Sequence, residues 1–431
     1  MKFTKKILSI AITACLIVAA GCSAGTESVN NEQGSTNGAN NGQSSKNTTE
    51  KVKLEFLSNK ADVAETMDKI IKGFQEQNPN IVIEQNTPPN MLKVLTMRFS
   101  TNDAPPVFTV YPSAPSFAQL LKDDNVAELT GDPVLENVEP SFVEFSQNNG
   151  KNYAVPYALE GYGVVYNADL FKELNLGIPQ TYNELIQVAE KIKAAGKTPF
   201  VFADKEHSDL RRISAALLGL DMTDAVPFFQ DVINGKKHIA DRETEIRRFA
   251  EKTLELRKYA QKDLLGMSGD NAVVEVANGK AAMYFMGMWK ALAVKKANPS
   301  MNVAMFAFPA EKAEDTKVAM QVGTALAMPK DIKTPDEVKK FMAYFATTEN
   351  AQLYSDETGQ ISVIKGVTHK VKENIGLAEM ALAGKMYRAA DATWTPAMQE
   401  DFGKATQELL GGASLEAYLK KLEEIFYNKA S

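Results

Sequence analysis

Residues 152–185 read NYAVPYALEGYGVVYNADLFKELNLGIPQTYNEL. The stretch opens in strand-like alternation, with Tyr153 and Val155 leading to Pro156. It passes through a Gly-bracketed turn, Glu160-Gly161-Tyr162-Gly163, and resumes as an apolar run, Val164-Val165-Tyr166. Its pattern predicts a short helix over Ala168–Leu174, a turn at Pro179 and a further helix capped by Thr181. Flexible residues that bracket an acid and an aromatic, between strand-like runs, suit a chain crossing from one domain to another beside a cleft. A bulge within an ordinary strand fits the same residues. Both readings stand at this point.

On the N-terminal side, Val52, Leu54 and Phe56 alternate with charged residues, which predicts a strand. Val63, Met67, Ile70, Ile71 and Phe74 then share one helical face, Asn78-Pro79 ends that helix, and Ile81-Val82-Ile83 forms the next strand. This is a βαβ unit, so a mostly parallel sheet is expected. VFTVY (107–111) is a further strand. Ligands of open α/β sheets sit at the carboxyl ends of strands, which makes Asn59, Lys60 and Tyr111 candidate cleft residues. For Lys60 a solvated loop position is as good a reading.

On the C-terminal side, Thr181-Tyr182-Asn183-Glu184 is a capping box, and Pro199–Phe202 reads as a strand followed by a loop that holds His207. A lone histidine among acids is more often a surface residue than a ligand. Residues 210–262 are largely helical. Ala281–Phe285 is a buried strand, after which Gly287 lets the backbone bend and Trp289 project. Thr334-Pro335-Asp336-Glu337 opens another helix, and Leu415, Leu419, Leu422 and Phe426 form the last apolar stripe.

The first residues indicate export. Lys2, Lys5 and Lys6 precede an apolar run, Ile7–Ala20, too short to span a bilayer. Ala19-Ala20-Gly21-Cys22 resembles a lipobox, so residues 1–21 are expected to be removed and Cys22 diacylated; plain secretion with a stray thiol is the alternative. Residues 22–50 are nearly all small and polar, a composition that cannot fold and suits a tether. The only other cysteine, Cys15, lies in the leader, so no disulfide is expected in the mature chain. The formal charge is −6, and loss of the leader's lysines makes it more negative still. That balance argues against nucleic acid and anionic headgroups as partners.

No catalytic constellation emerges. His207, His238 and His369 are far apart and match no zinc pattern, and there is no G-x-S-x-G, no P-loop and no nucleophilic cysteine. Neither enzyme activity, a metal nor a cofactor is expected.

The stretch at 156–185, together with NGKAAMYFMGMW (278–289), VGTALAMPK (322–330) and LLGGASLEAYLKKLEEIF (409–426), resembles the family 1 extracellular solute-binding proteins, in the family's order. These are the sugar-capturing receptors of ABC importers, and maltodextrin-binding proteins are relatives. The resemblance implies an α/β, two-lobed periplasmic-binding-protein-like fold of type II, with crossovers near 158–163, 323–326 and 362–364 and the ligand cleft between the lobes. Residues 51–158 and 326–362 would form the N-terminal lobe, and 159–325 and 363–431 the other. It implies that Glu160 accepts ligand hydroxyls and that Asn59 and Lys60 bind the hydroxyl rim. Tyr111, Trp289 and, more loosely, Trp394 would be aromatic platforms for the apolar faces of a sugar ring. Tyr162 and Gly323, on the crossovers, complete the expected site with His207.

The expected protein is thus a monomeric, lipid-anchored receptor on the outer face of a Gram-positive cell membrane. It would hand a carbohydrate, an oligosaccharide by expectation, to ABC permease subunits. A receptor for a polyamine or metal complex, a surface-anchored glycan hydrolase and an adhesin are the alternatives. Acids converging on a cleft without aromatic platforms would favour the first of these.

Overall fold

The computed structural model describes residues 51–429; the leader, Cys22 and the tether lie outside them. Ten strands among the described residues form one sheet. They are β1 (Val52–Leu57), β2 (Ile81–Asn86), β3 (Val107–Val110), β4 (Val155–Asn167), β5 (Thr198–Val201), β6 (Ala281–Gly287), β7 (Val303–Phe306), β8 (Val318–Ala327), β9 (Ile361–Ser362) and β10 (Met386–Tyr387). The main path runs β2-β1-β3-β8-β4-β6-β5, with β7 and β9 added to β4 and β10 to β8.

The β1–helix–β2 unit forms as its pattern requires. The helix Ala64–Gln77 buries Met67, Ile70, Ile71 and Phe74, and the Asn78 side-chain amide ends it by donating to the Phe74 carbonyl at 2.9 Å. β1 lies parallel to both β2 and β3. The expectation of a mostly parallel sheet nevertheless fails at the centre. β4 is antiparallel to β8, β9, β6 and β7, because it runs against the strands of both halves of the molecule as it passes between them.

β4 thereby joins two lobes. Its first part lies between β8 (Ala158 opposite Thr324) and β9 (Ala158 opposite Ser362). Further on, β6 replaces β9 on one side and β7 replaces β8 on the other. The bulge sits at Pro156–Leu159, earlier than the glycines that hinted at one. Gly161 and Gly163 serve close approach instead. A Cβ would fall 2.2 Å from the Met320 sulfur at Gly161 and 2.7 Å from the Phe306 carbonyl oxygen at Gly163.

The chain after β9 stays beside residues 137–139 and Gln352. The Glu139 amide donates to the Val363 carbonyl at 2.9 Å, the Lys365 amide to Asn137 at 2.8 Å, and the Thr368 amide to Gln352 Oε1 at 3.0 Å. The helix Ile375–Leu382 then packs on β7 and β8. Residues 370–374 therefore lead from the surroundings of β9 to those of β7 and β8.

Each lobe has its own aromatic core. Phe56, Phe74, Phe341, Phe345, Tyr157 and Tyr354 interlock under the first part of the sheet. In the second lobe Trp394 is wholly buried, its ring centroid 4.9 Å from Phe229, 4.8 Å from Phe402 and 4.5 Å from Phe426. Enclosed by phenylalanines, it cannot serve as a sugar platform. Trp394→Ala should therefore lower unfolding free energy by about 3–5 kcal/mol, as large-to-small core changes do. A denaturant titration of the variant will show this as a lower midpoint with an unchanged slope.

Candidate functional site

The loops that leave β1 and β3 stand side by side. The Asn59 amide donates to Thr109 Oγ1 at 3.0 Å, and that hydroxyl donates on to Asn59 Oδ1 at 2.9 Å. The Lys60 amide donates to Ser58 Oγ at 3.1 Å, which turns the lysine side chain inward. Lys60 is not a solvated loop residue. Its ammonium is buried, donates to the Tyr111 hydroxyl at 3.3 Å and forms an ion pair with Glu160 on β4. Burial disfavours this ammonium, but the Glu160 carboxylate and the hydroxyls of Tyr111 and Tyr354 outweigh that cost and raise its proton affinity.

Glu160 reaches this position because β8 has no side chain at Gly323. A Cβ there would lie 2.2 Å from Glu160 Cγ and 2.3 Å from its carboxyl carbon. Gly323 is thus a seat for the carboxylate. Beside it, Thr324 Oγ1 donates to Gln360 Oε1 at 3.0 Å and lies 3.2 Å from the Tyr354 hydroxyl.

Across β4, Tyr162 meets Trp289 edge to face, with centroids 5.8 Å apart and planes at 75°. Trp289 begins the helix Trp289–Ala297, and the preceding Met288 amide donates to the Gly161 carbonyl at 2.9 Å. The indole folds back over Gly287, where a Cβ would come within 2.1 Å of it. Trp289 is half-buried and is braced by Tyr162 and by the backbone at Gly287. Burial raises the Tyr162 hydroxyl's pKa, with Arg212 opposing and Asp391 adding to the shift.

Those last residues belong to a group that the sequence did not disclose. Arg211 and Arg212 lie on the helix His207–Asp221, which follows β5. Arg211 forms an ion pair with Asp391, and Arg212 pairs with Asp209 at 2.8 Å. Burial pushes the Asp391 carboxyl upward, against the pull of both arginines. Arg212 and Asp391 act in opposite directions on the Tyr162 hydroxyl, so the group lies within electrostatic reach of that residue. The usable signal was the position of this helix at the carboxyl end of β5, with Asp209 and Arg212 one turn apart on it.

Of the expected site residues, Lys60, Tyr111, Glu160 and Gly323 come into mutual contact, with Asn59 braced at their edge. Tyr162 and Trp289 form a second set. His207 does not join either: it begins a helix, and its backbone carbonyl packs against Gly403 of the helix Pro396–Leu410. Trp394 is in the core, and Asp391, three residues before it, pairs with Arg211. Among the described residues no cluster of three or more metal-ligating side chains exists. None of the described helices is long and apolar enough to cross a membrane.

The model of the bacterial extracellular solute-binding proteins matches residues 58–352. The chain belongs to this family. The solute-binding protein is 28% identical over 380 residues to the multiple sugar-binding protein of Streptococcus mutans, covering 86% of this chain and 89% of that protein. It is 23% identical over 323 residues to the melibiose/raffinose/stachyose-binding protein MelE of Bacillus subtilis, covering 72% of each. Its fold matches RafE of Streptococcus pneumoniae with a TM-score of 0.78 at 22% identity, over 89% of this chain and 99% of that one. A structure of RafE in complex with raffinose matches at 0.77, with 23% identity over 88% of this chain and 100% of that one.

The buried pair makes a separable prediction. Removing one partner strands a buried charge, so Lys60→Met alone should cost about 3–5 kcal/mol of stability. Lys60→Met with Glu160→Leu should cost much less than the sum of the single changes. Strictly additive losses in urea melts of the double-mutant cycle would show that the pair does not couple.

Proposed function

We propose that this solute-binding protein captures a neutral carbohydrate between its lobes and passes it to an ABC permease. The observation that carries this reading is the combination of a braced, partly open Trp289 with charged groups that are matched one for one. Lys60 pairs with Glu160, Arg211 with Asp391 and Arg212 with Asp209. Such a site offers fixed donors and acceptors for a hydroxyl rim and an apolar plate for a ring face, without net charge. A polyamine would need unmatched carboxylates, and a metal complex a cluster of ligating groups. The sugars named for the relatives support the same class.

The role is binding without turnover. The protein would act as a monomer, held by diacylated Cys22 on the outer face of a Gram-positive cell membrane. We assign residues 51–158 and 326–369 to one lobe, and 159–325 with the chain from 375 onward to the other. The lobes would close about the passages in β4, in β8 and at 370–374. A ligand that touches both lobes favours the closed form by its difference in affinity for the two states.

Calorimetry with raffinose, stachyose, melibiose and maltooligosaccharides should find at least one tight binder, with no new reducing ends after incubation. Trp289→Ala should weaken that binder by about 2 kcal/mol or more, as loss of a buried aromatic anchor does. Full affinity in the variant would remove Trp289 from the site. For the anchor, labelled fatty acid should enter the native chain and not Cys22→Ala; equal labelling of both would refute lipidation at Cys22.

A further inference from the structure

Arg388 is placed unlike Arg211 and Arg212. It follows β10, which is fixed to the second lobe by pairing with β8 and by the Tyr387 hydroxyl, which donates to the Ala216 carbonyl at 2.7 Å. From there Arg388 reaches across to the first lobe. Its Nη2 donates to the Phe145 carbonyl at 2.5 Å, and its guanidinium carbon lies 4.6 Å from the centroid of the Phe145 ring. Phe145 ends the helix Pro140–Phe145. The loop after it is tied to the Tyr111 side of the cleft, since Asn148 Nδ2 donates to the Pro112 carbonyl at 2.9 Å.

Arg211, Arg212 and Asp391 have ionic partners, but among the described residues Arg388 has no carboxylate within ion-pair distance. Burial without a counter-ion lowers its proton affinity. A guanidinium so placed gains a charged hydrogen bond and an aromatic face, and gives up hydration. When the lobes part it recovers that water. The balance is small, which suits a reversible contact and not a permanent lock.

We propose that Arg388 is a positioning residue for closure: it latches the second lobe onto the Phe145 carbonyl and ring of the first, whether or not solute is bound. This rests on the two-lobe assignment above, but not on the ligand's being a sugar. The latch sets the ligand-free balance between open and closed forms, and through it the apparent affinity for any solute.

The test uses the mature protein without ligand. Arg388→Ala should enlarge the radius of gyration in small-angle scattering and raise acrylamide quenching of tryptophan fluorescence. Trp394 is fully buried, so the added quenching reports on Trp289. The open-to-closed ratio should shift by roughly tenfold or more, the fold-change carried by one hydrogen bond to a charged group. Arg388→Lys keeps the charge but not the fork and should fall between. If Arg388→Ala does not fold, Arg388→Lys and Phe145→Leu decide by the same readouts. Unchanged radius and quenching in folded variants overturn the latch. Weaker raffinose binding with no ligand-free change also overturns it, because Arg388 would then be a direct ligand contact. Failure of raffinose to bind the native protein would count against the sugar reading alone, and the ligand-free measurements would still decide the latch.

Discussion

The buried Lys60–Glu160 pair constrains most of the binding half of this molecule. Ions leave water at a cost of several kcal/mol each, and only good geometry with further hydrogen bonds offsets it. Here three chain segments must meet to meet that condition. The loop after β1 supplies the ammonium, β4 the carboxylate, and β8 a residue without a side chain. Tyr111 closes the group from the first lobe. Gly323 is therefore not interchangeable, although its backbone angles are ordinary. The pair also fixes the direction of Glu160. One carboxylate oxygen is held by Lys60, which leaves the other oriented before any solute arrives.

On the lobe assignment proposed above, the same pair sits beside the passages in β4 and β8, so binding and hinge would share material. The third passage carries a polar knot of its own. His369 Nε2 lies 2.6 Å from Asn374 Oδ1, and Asn374 Nδ2 donates to the Gly359 carbonyl at 2.7 Å. Because that amide donates to a carbonyl, its oxygen must accept from the histidine. Gly359 has a φ of +69°, and a Cβ there would lie 2.7 Å from a Leu292 methyl. Leu292 is one turn beyond Trp289 on the same helix. This knot thus abuts the helix that carries Trp289, and the proposed rotation at 370–374 would have to be accommodated by that contact.

Much of this arrangement was legible in the sequence, for reasons that differ by residue. Lys60 and Tyr111 followed from the rule that strands of an α/β sheet present ligands at their carboxyl ends. Glu160 and Trp289 stood out through glycines beside them, though the glycines proved to be there for close packing and not for bending. Trp394 misled because rarity marks an aromatic as significant without saying whether ligand or core will cover it. Three phenylalanines distant in sequence, Phe229, Phe402 and Phe426, decide that question. Arg211 and Asp391 were invisible for the same reason. They lie far apart in the chain, and in a sequence rich in charge a pair becomes special only when folding buries it.

Matched charges suit a neutral ligand better than either bare charges or a purely apolar cleft. Every sugar hydroxyl both donates and accepts, so a receptor must hold donors and acceptors close together. Neutral side chains can do so but must be oriented at some loss of rotamer freedom. An ion pair orients itself: Asp209 and Arg212 hold one another across one helical turn, and Asp391 and Arg211 across two elements. Each carboxylate has lone pairs to spare after its partner is served. A solute hydroxyl can then replace water at groups whose positions are already set, without unbalancing the charge of a partly buried cleft. At these pairs a charged solute would find each counter-ion already engaged and would lose its hydration with little recompense. On the proposed function, a preference for uncharged ligands would follow from the pairing at these groups, before the shape of any particular sugar is considered.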